Sequence, residues 1–366
     1  MPVFFLYLLK IYHMKLINYL LIALVFVSSC KEEDTVETPV LPSDYGKGMY
    51  IATENGVSFY DGEVVKNQIF KGVNGTAISS VSKIKFKGTK AYIAAGNQIV
   101  TANIETFENK DVVSGFVDVV DFDFVSFDRL FVVDKGDAKV KVVDLNNLDI
   151  TAEVETGENT VPTFIASSWY RSIVLNSGAV ADSLKDTTIV AIDYRDGVIP
   201  LSDFMGSIEV GDNPNSVVWI SNLKVLCKGV YDVDNMLNNT ESSLSKIDPW
   251  DMELDWNITL SNIYNAQNLV SDVSDSKYFF TAINGVYQMN NDGTSISQKI
   301  NFTSDILETA IESYAINDTT IGYANMLFVN DAIGANNTIY KYNLATSAFC
   351  DTIVVDGAVE DINFYY

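Results

Sequence analysis

Seven times along this chain a short β-rich run closes on Asp or Asn and then turns: Tyr60-Asp61, Ala102-Asn103, Val143-Asp144, Ile192-Asp193, Ile247-Asp248, Met289-Asn290 and Tyr342-Asn343. A phrase that recurs at a near-constant period constrains architecture before any single motif does. Each copy marks one supersecondary unit that must bury its apolar faces against the next. The chemistry of the phrase is that of strand reversal. An Asp or Asn oxygen accepts the backbone N–H two residues on, and the residue tolerates left-handed geometry.

Each phrase ends an apolar run, such as 57–60, 140–143 or 189–192, and a second run lies upstream at 49–51, 91–93, 130–132, 172–174, 224–226, 278–280 and 327–329. A third anchor opens each unit: Ile84, Phe122, Phe164, Val217, Leu269, Tyr314 and Ile362, at intervals of 38 to 53 residues. Short runs divided by Gly, Asn and Asp read as strands and hairpins, and four-stranded propeller blades repeat at about 40–50 residues. The expectation is an all-β fold, a seven-bladed β-propeller of four-stranded blades; an irregular β-sandwich or solenoid is the alternative. The first strand, around Tyr50, has no opening strand before it, and residues 360–366 have nothing after them. The C-terminal strand is therefore predicted to complete a first blade built from residues 48–71, which removes two free sheet edges.

Residues 1–29 contain no Asp or Glu, and Met14-Lys15 followed by the apolar run 16–27 has the n- and h-regions of a secretion signal. Translation from Met14 would give a complete signal by itself. Val27-Ser28-Ser29-Cys30 resembles the lipobox of bacterial lipoproteins, which implies cleavage before Cys30 and lipidation there. An ordinary secretion signal with an incidental Cys is the alternative. Lys31-Glu32-Glu33-Asp34 then resembles the export signal that carries Bacteroidota lipoproteins to the outer face of the outer membrane; a solvated linker is the alternative. The expected division is a signal peptide at 1–29, a lipidated Cys and flexible tether at 30–46, and a propeller domain at 47–366, with a lipid anchor as the only membrane attachment.

The chain carries a net charge of −24, more negative still once Lys10 and Lys15 leave with the leader. Such a surface argues against nucleic acid and anionic lipid as partners. The one histidine is His13, inside the leader. A Ser-His-Asp triad, a Cys-His pair and His-ligated zinc are thereby excluded from the mature chain. Carboxylate-only hydrolysis stays open, but pairs such as Asp121 and Asp123 read as structural strand residues. Cys227 and Cys350 fall in blades five and seven and are expected as two unpaired, buried thiols, with a disulfide as the alternative in an oxidising compartment. Asp232-Val233-Asp234-Asn235 lacks the Gly and distal Glu of a calcium loop, so no metal or cofactor is assigned.

Loops between second and third strands share a face with the loops between blades. They are long in blade four (176–187) and blade five (227–243) and of medium length in blade seven (330–338). Expansions gathered on one face of a repeat fold often mark the binding face, although loops also drift in length. That face carries amides and tyrosines able to hydrogen-bond and stack a polar ligand without charge. The ligand-binding candidates are Asn213, Asn215, Tyr231, Asp232, Asn235, Tyr264, Asn265 and Gln267. Turn residues of these types need no ligand, so each also has a structural reading. Trp219 reads as packing between blades, and Trp250, on the opposite face, as a partner contact.

The stretch 210–218, Val-Gly-Asp-Asn-Pro-Asn-Ser-Val-Val, followed by Leu-Lys-Val-Leu-Cys-Lys-Gly at 223–229, resembles the corresponding phrase of Bacteroidota YncE-like propeller lipoproteins. Gly285-Val286-Tyr287-Gln288-Met289 and 327–332 resemble that family's last two blades, and the likeness covers about 165–366. Trp219-Ile220-Ser221-Asn222 departs from the family's Asp-containing turn. Some members capture corrinoids at the cell surface and hand them to a TonB-dependent outer-membrane transporter; related propellers capture haem or siderophore-type iron chelates. The resemblance implies a surface propeller lipoprotein whose ligand is a corrinoid or metal chelate, and the lack of histidine in the mature chain leads to the expectation that it is not an enzyme. A protein-interaction or adhesion scaffold is the second reading, and a carboxylate-based hydrolase or lactonase the third.

Overall fold

The computed structural model describes residues 44–157, 160–177, 185–194, 202–232, 236–272, 274–301, 312–314, 326–331 and 335–366. These form seven four-stranded antiparallel sheets, the blades of a propeller. Blade two runs through β4 (Val81–Lys87), β5 (Lys90–Ala95), β6 (Gln98–Asn103) and β7 (Asn109–Ser114), and the same meander repeats in blades three to seven up to β27 (Ala348–Val354). Blade one takes its innermost strand from the far end of the chain. There β28 (Val359–Tyr365) pairs with β1 (Gly48–Thr53), with Ile51 opposite Ile362 and Met49 opposite Phe364. The closure predicted from the repeat is thus observed. The outer part of blade one is cut short: β2 (Gly56–Tyr60) is followed by a two-residue β3 (Val65–Lys66) and helix α1 (Ile69–Asn74), whose Ile69 and Phe70 are buried between blades one and two.

Alternation along the strands explains the ring. In β9 (Arg129–Asp134), Leu130 and Val132 face blade two, while Phe131 and Val133 face blade four. In β1, Met49 and Ile51 face blade seven, while Tyr50 and Ala52 face blade two. Middle strands are therefore apolar on both faces, since each blade is covered on both sides. The core is divided into clusters, one at each junction between successive blades.

The innermost strands have one unpaired edge, and polar side chains from neighbouring blades satisfy it. Asp121 on β8 (Val119–Phe124) accepts the Ile165 N–H of blade four at 3.0 Å through Oδ2 and the Phe122 N–H at 2.8 Å through Oδ1. Asp123 does the same for Ser167 and Phe124, at 2.7 and 3.0 Å. Asp361 reaches the Ile84 N–H at 3.2 Å, and the Ser216 hydroxyl accepts the Leu269 N–H at 3.0 Å. Lys85 stands 3.3 Å from Asp121 and 3.7 Å from Asp123. Burial raises the Asp123 pKa, with Lys85 opposing the shift. The structural reading of Asp121 and Asp123 holds.

The strand-ending phrase also works as expected. Oδ1 of Asp61, Asn103, Asp144, Asp248 and Asn343 accepts the backbone N–H two residues on. Asp193 and Asn290 each also meet a cation directly across the hairpin. Arg171 holds both oxygens of Asp193, and the Lys277 ammonium takes Oδ1 of Asn290.

One expectation fails. Cys227 is buried and unpaired, but Cys350 is exposed. Cys350 lies on β27, the outermost strand of blade seven, where solvent replaces the packing that a middle strand receives. Repeat register places a residue in a blade but does not bury it.

Candidate functional site

The face that carries the second-to-third-strand loops is organised by blade five. β16 (Pro214–Trp219) follows a turn in which Asn213 adopts φ 54, a left-handed geometry suited to Asn. Gly211 before it packs so closely on Ser243 and Cys227 that no Cβ fits. The arm between β17 (Leu223–Cys227) and β18 (Ser243–Asp248) is tied at its base. The Thr240 N–H donates to Val230 O at 3.0 Å and the Asp232 N–H to Asn239 Oδ1 at 2.6 Å. The arm is then stitched to the inter-blade turns on either side. The Lys228 N–H donates to Asn213 O at 3.0 Å, and the Asn265 N–H to Lys228 O at 2.9 Å.

The sequence candidates divide in this frame. Asn213 serves the turn, with Nδ2 donating to Gly229 O at 3.0 Å and Oδ1 accepting the Asp186 N–H at 3.3 Å. Asn215 links blades, its Nδ2 donating to Ala266 O at 2.8 Å. Asp232 is half-buried at the base of the arm, and Asn235 lies outside the described residues, as does Cys30. Tyr231 and Tyr264, on different loops, come together with ring centroids 6.1 Å apart at 45°. Asn265 (φ 56) follows Tyr264 directly, and Gln267 opens β20 (Gln267–Ser271). All four are half-buried. Beyond the base of the arm, Met236 and Leu237 are 70% and 96% exposed. Two phenols and two amides can stack and hydrogen-bond a polar molecule; they supply neither a strong base nor an ammonium. Among the described residues no cluster of three His, Cys, Asp or Glu could hold a metal.

The opposite face, formed by the first-to-second and third-to-fourth turns, holds a group that sequence reasoning missed. β12 (Pro162–Ser168) and β13 (Arg171–Asn176) pair Ser168 with Arg171, leaving a two-residue turn of Trp169 and Tyr170 at φ 51 and 67. Such a turn needs positive φ at both positions and favours Asn-Gly; a bulky residue there costs about 1–3 kcal/mol. Neither ring offsets this by burial, since Trp169 is 83% and Tyr170 55% exposed. Tyr170 stacks on Tyr194 at 6.2 Å and 20°. Across from it stands Phe127, 87% exposed in the turn before β9. Ser126, Phe127, Asp128, Tyr170 and Tyr194 line a cavity of about 510 Å³. The signal in the sequence was the absence of Asn or Gly from a tight turn.

Further round this face Trp250 is half exposed. Its ring lies 5.1 Å from the Arg171 guanidinium, which donates to the Pro249 and Trp250 carbonyls at 2.7 Å. Trp219 packs between blades four and five, as expected, 6.3 Å from Trp250.

No family model matches the chain, and no curated protein matches it. Solved structures do. A putative 6-phosphogluconolactonase from Bacteroides fragilis superposes with TM-score 0.64 at 10% identity, over 89% of this chain and 99% of the other. A quinonprotein alcohol dehydrogenase-like protein from Bacteroides thetaiotaomicron gives 0.64 at 13%, over 87% and 78%. Hydrazine synthase from Kuenenia stuttgartiensis gives 0.62 at 12%, over 78% and 90%. At such identities these likenesses show the propeller fold alone, a fold that hosts unrelated activities.

Proposed function

We propose that this protein is a non-catalytic capture propeller. It is anchored through a lipid on Cys30 at the outer face of the outer membrane, and it holds a corrinoid or a metal chelate on its loop-rich face for a TonB-dependent transporter. The observation that carries the reading is the meeting of Tyr231 and Tyr264 from separate loops. Beside them the Asn265 and Gln267 side chains make no hydrogen bond among the described residues. Groups left without a structural task on an expanded face are those free to serve a ligand. A surface scaffold is the second reading, favoured by the exposed Met236 and Leu237 at the arm. Titration calorimetry of residues 44–366 with cobalamin, cobinamide, haem and a ferric siderophore separates the two. Capture requires that one ligand bind and that Tyr231→Ala and Asn265→Ala each weaken it at least about tenfold. Asn213→Ala is expected to lower thermal stability instead. Binding of none of the four supports the scaffold. Cys30→Ala, followed by membrane fractionation, tests the anchor separately.

A further inference from the structure

The cavity on the opposite face belongs to no part of that reading. We infer that it is a second binding site, for an uncharged oligosaccharide. Turn chemistry does not explain the rings: the two-residue turn of Trp169 and Tyr170 would be served best by Asn-Gly, yet carries two exposed aromatic side chains.

The charges around the cavity are matched among themselves. Asp128 pairs with Arg129 at 2.7 Å, and Arg129 with Asp144 at 3.0 Å. The rings already carry cations. Arg129 lies 5.8 Å from the Tyr194 centroid and Lys87 5.9 Å from that of Phe127. An organic cation would meet these groups as competitors, and an anion would meet Asp128, so the vacancy suits a neutral molecule.

The hydrogen-bonding inventory is that of a hydroxyl reader. The Tyr170 hydroxyl makes no hydrogen bond among the described residues. Asp128 has spent one bond per oxygen, accepting from Ser126 Oγ at 3.0 Å and from Arg129 at 2.7 Å. A carboxylate offers about four acceptor positions, so about two remain. Flat exposed rings beside spare acceptors fit a pyranose, whose C–H face stacks on an aromatic ring while its equatorial hydroxyls donate from the rim. The cavity of about 510 Å³ lies within the ordinary range for small-ligand sites. Trp169, next to Tyr170 in the turn and 83% exposed, lies just outside the cavity lining and offers a further ring to a ligand longer than one sugar.

The test is calorimetry and tryptophan fluorescence of residues 44–366, whose seven blades are complete, against cellohexaose, xylohexaose, mannohexaose, maltohexaose and laminarihexaose. One of them is expected to bind and shift the emission. Trp169→Ala and Tyr170→Ala should each weaken it at least about tenfold, with Tyr264→Ala, on the other face, leaving it unchanged. The paired change Trp169→Asn with Tyr170→Gly should abolish binding while raising Tm by a few degrees, because it installs the preferred turn. The inference is overturned if no oligosaccharide binds at about 10 mM, if binding survives the paired change, or if that change lowers Tm. Failure here leaves the loop-rich face untouched, since its ligands and variants are different ones.

Discussion

Replacing Asp121 tests the way neighbouring blades are joined at the inner rim. Its two oxygens face two backbone donors, Ile165 N–H in the next blade and Phe122 N–H in its own, with Lys85 beside them. Ile165 is fully buried and Asp121 is 1% exposed, so water cannot replace the lost acceptor. A stranded buried N–H costs about 1–3 kcal/mol. The Lys85 side chain is 21% exposed and keeps Asp123, so its loss of a partner adds only about 1 kcal/mol after solvent screening. With two such donors and Lys85, Asp121→Ala should therefore cost about 3–7 kcal/mol, or about 5–10 °C in Tm for a domain of this size. The revealing variant is Asp121→Asn. It keeps one oxygen and turns an amide donor toward the other N–H, so it should cost nearly as much as alanine. Differential scanning calorimetry of residues 44–366 reads both. If Asn is harmless while Ala is not, the pairing of two oxygens with two N–H groups is wrong. If Ala shifts Tm by less than about 1 °C, the inner rim does not depend on this carboxylate.

Three further outcomes follow from the same structure. Removing residues 359–366 strips β28 from blade one, taking away Ile362 and Phe364 at about 1.5–3 kcal/mol each and baring the β1 edge; size-exclusion chromatography should show aggregate, and a monodisperse monomer of unchanged Tm would refute the closure. Burial opposes charge on Asp134, but Lys141 at 2.8 Å and the Val117 and Asp118 N–H groups prevail and hold its pKa below the usual 3.8. Its contribution is thus present above 3.8 and lost as pH falls through the folded value, so the Tm gap between wild type and Asp134→Asn should narrow as the pH drops below about 4. Burial pushes the Cys227 thiol up to about 12, whereas Cys350 is exposed; iodoacetamide followed by mass spectrometry should label Cys350 in the native protein and Cys227 only in denaturant.

The fold was legible because its signals are local and repeated. A strand-ending Asp or Asn carries its own hydrogen bond, and an apolar run of several residues leaves no doubt about burial on both faces. Ring closure was legible from what the first and last units lacked. Side-chain duties that depend on a neighbouring blade were less so. Asn213 and Asn215 carry the same amide as Asn265, but only the three-dimensional neighbours Gly229, Asp186 and Ala266 show that the first two are occupied. The exposure of Cys350 depends on its rank within the blade, which register alone leaves open. Trp169 and Tyr170 were missed because turn rules look for the residues that favour a turn, and these two sit in one despite it.

The strand that seals blade one is also, in chain order, the last of the twenty-eight among the described residues. The ring is therefore a test of completeness. Any polypeptide halted by a premature stop, however well its earlier blades have formed, presents β1 with a bare inner edge and an apolar flank at Met49 and Ile51. Such a fragment exposes an unpaired strand edge beside apolar surface, the kind of feature that proteases and chaperones bind in incompletely folded chains.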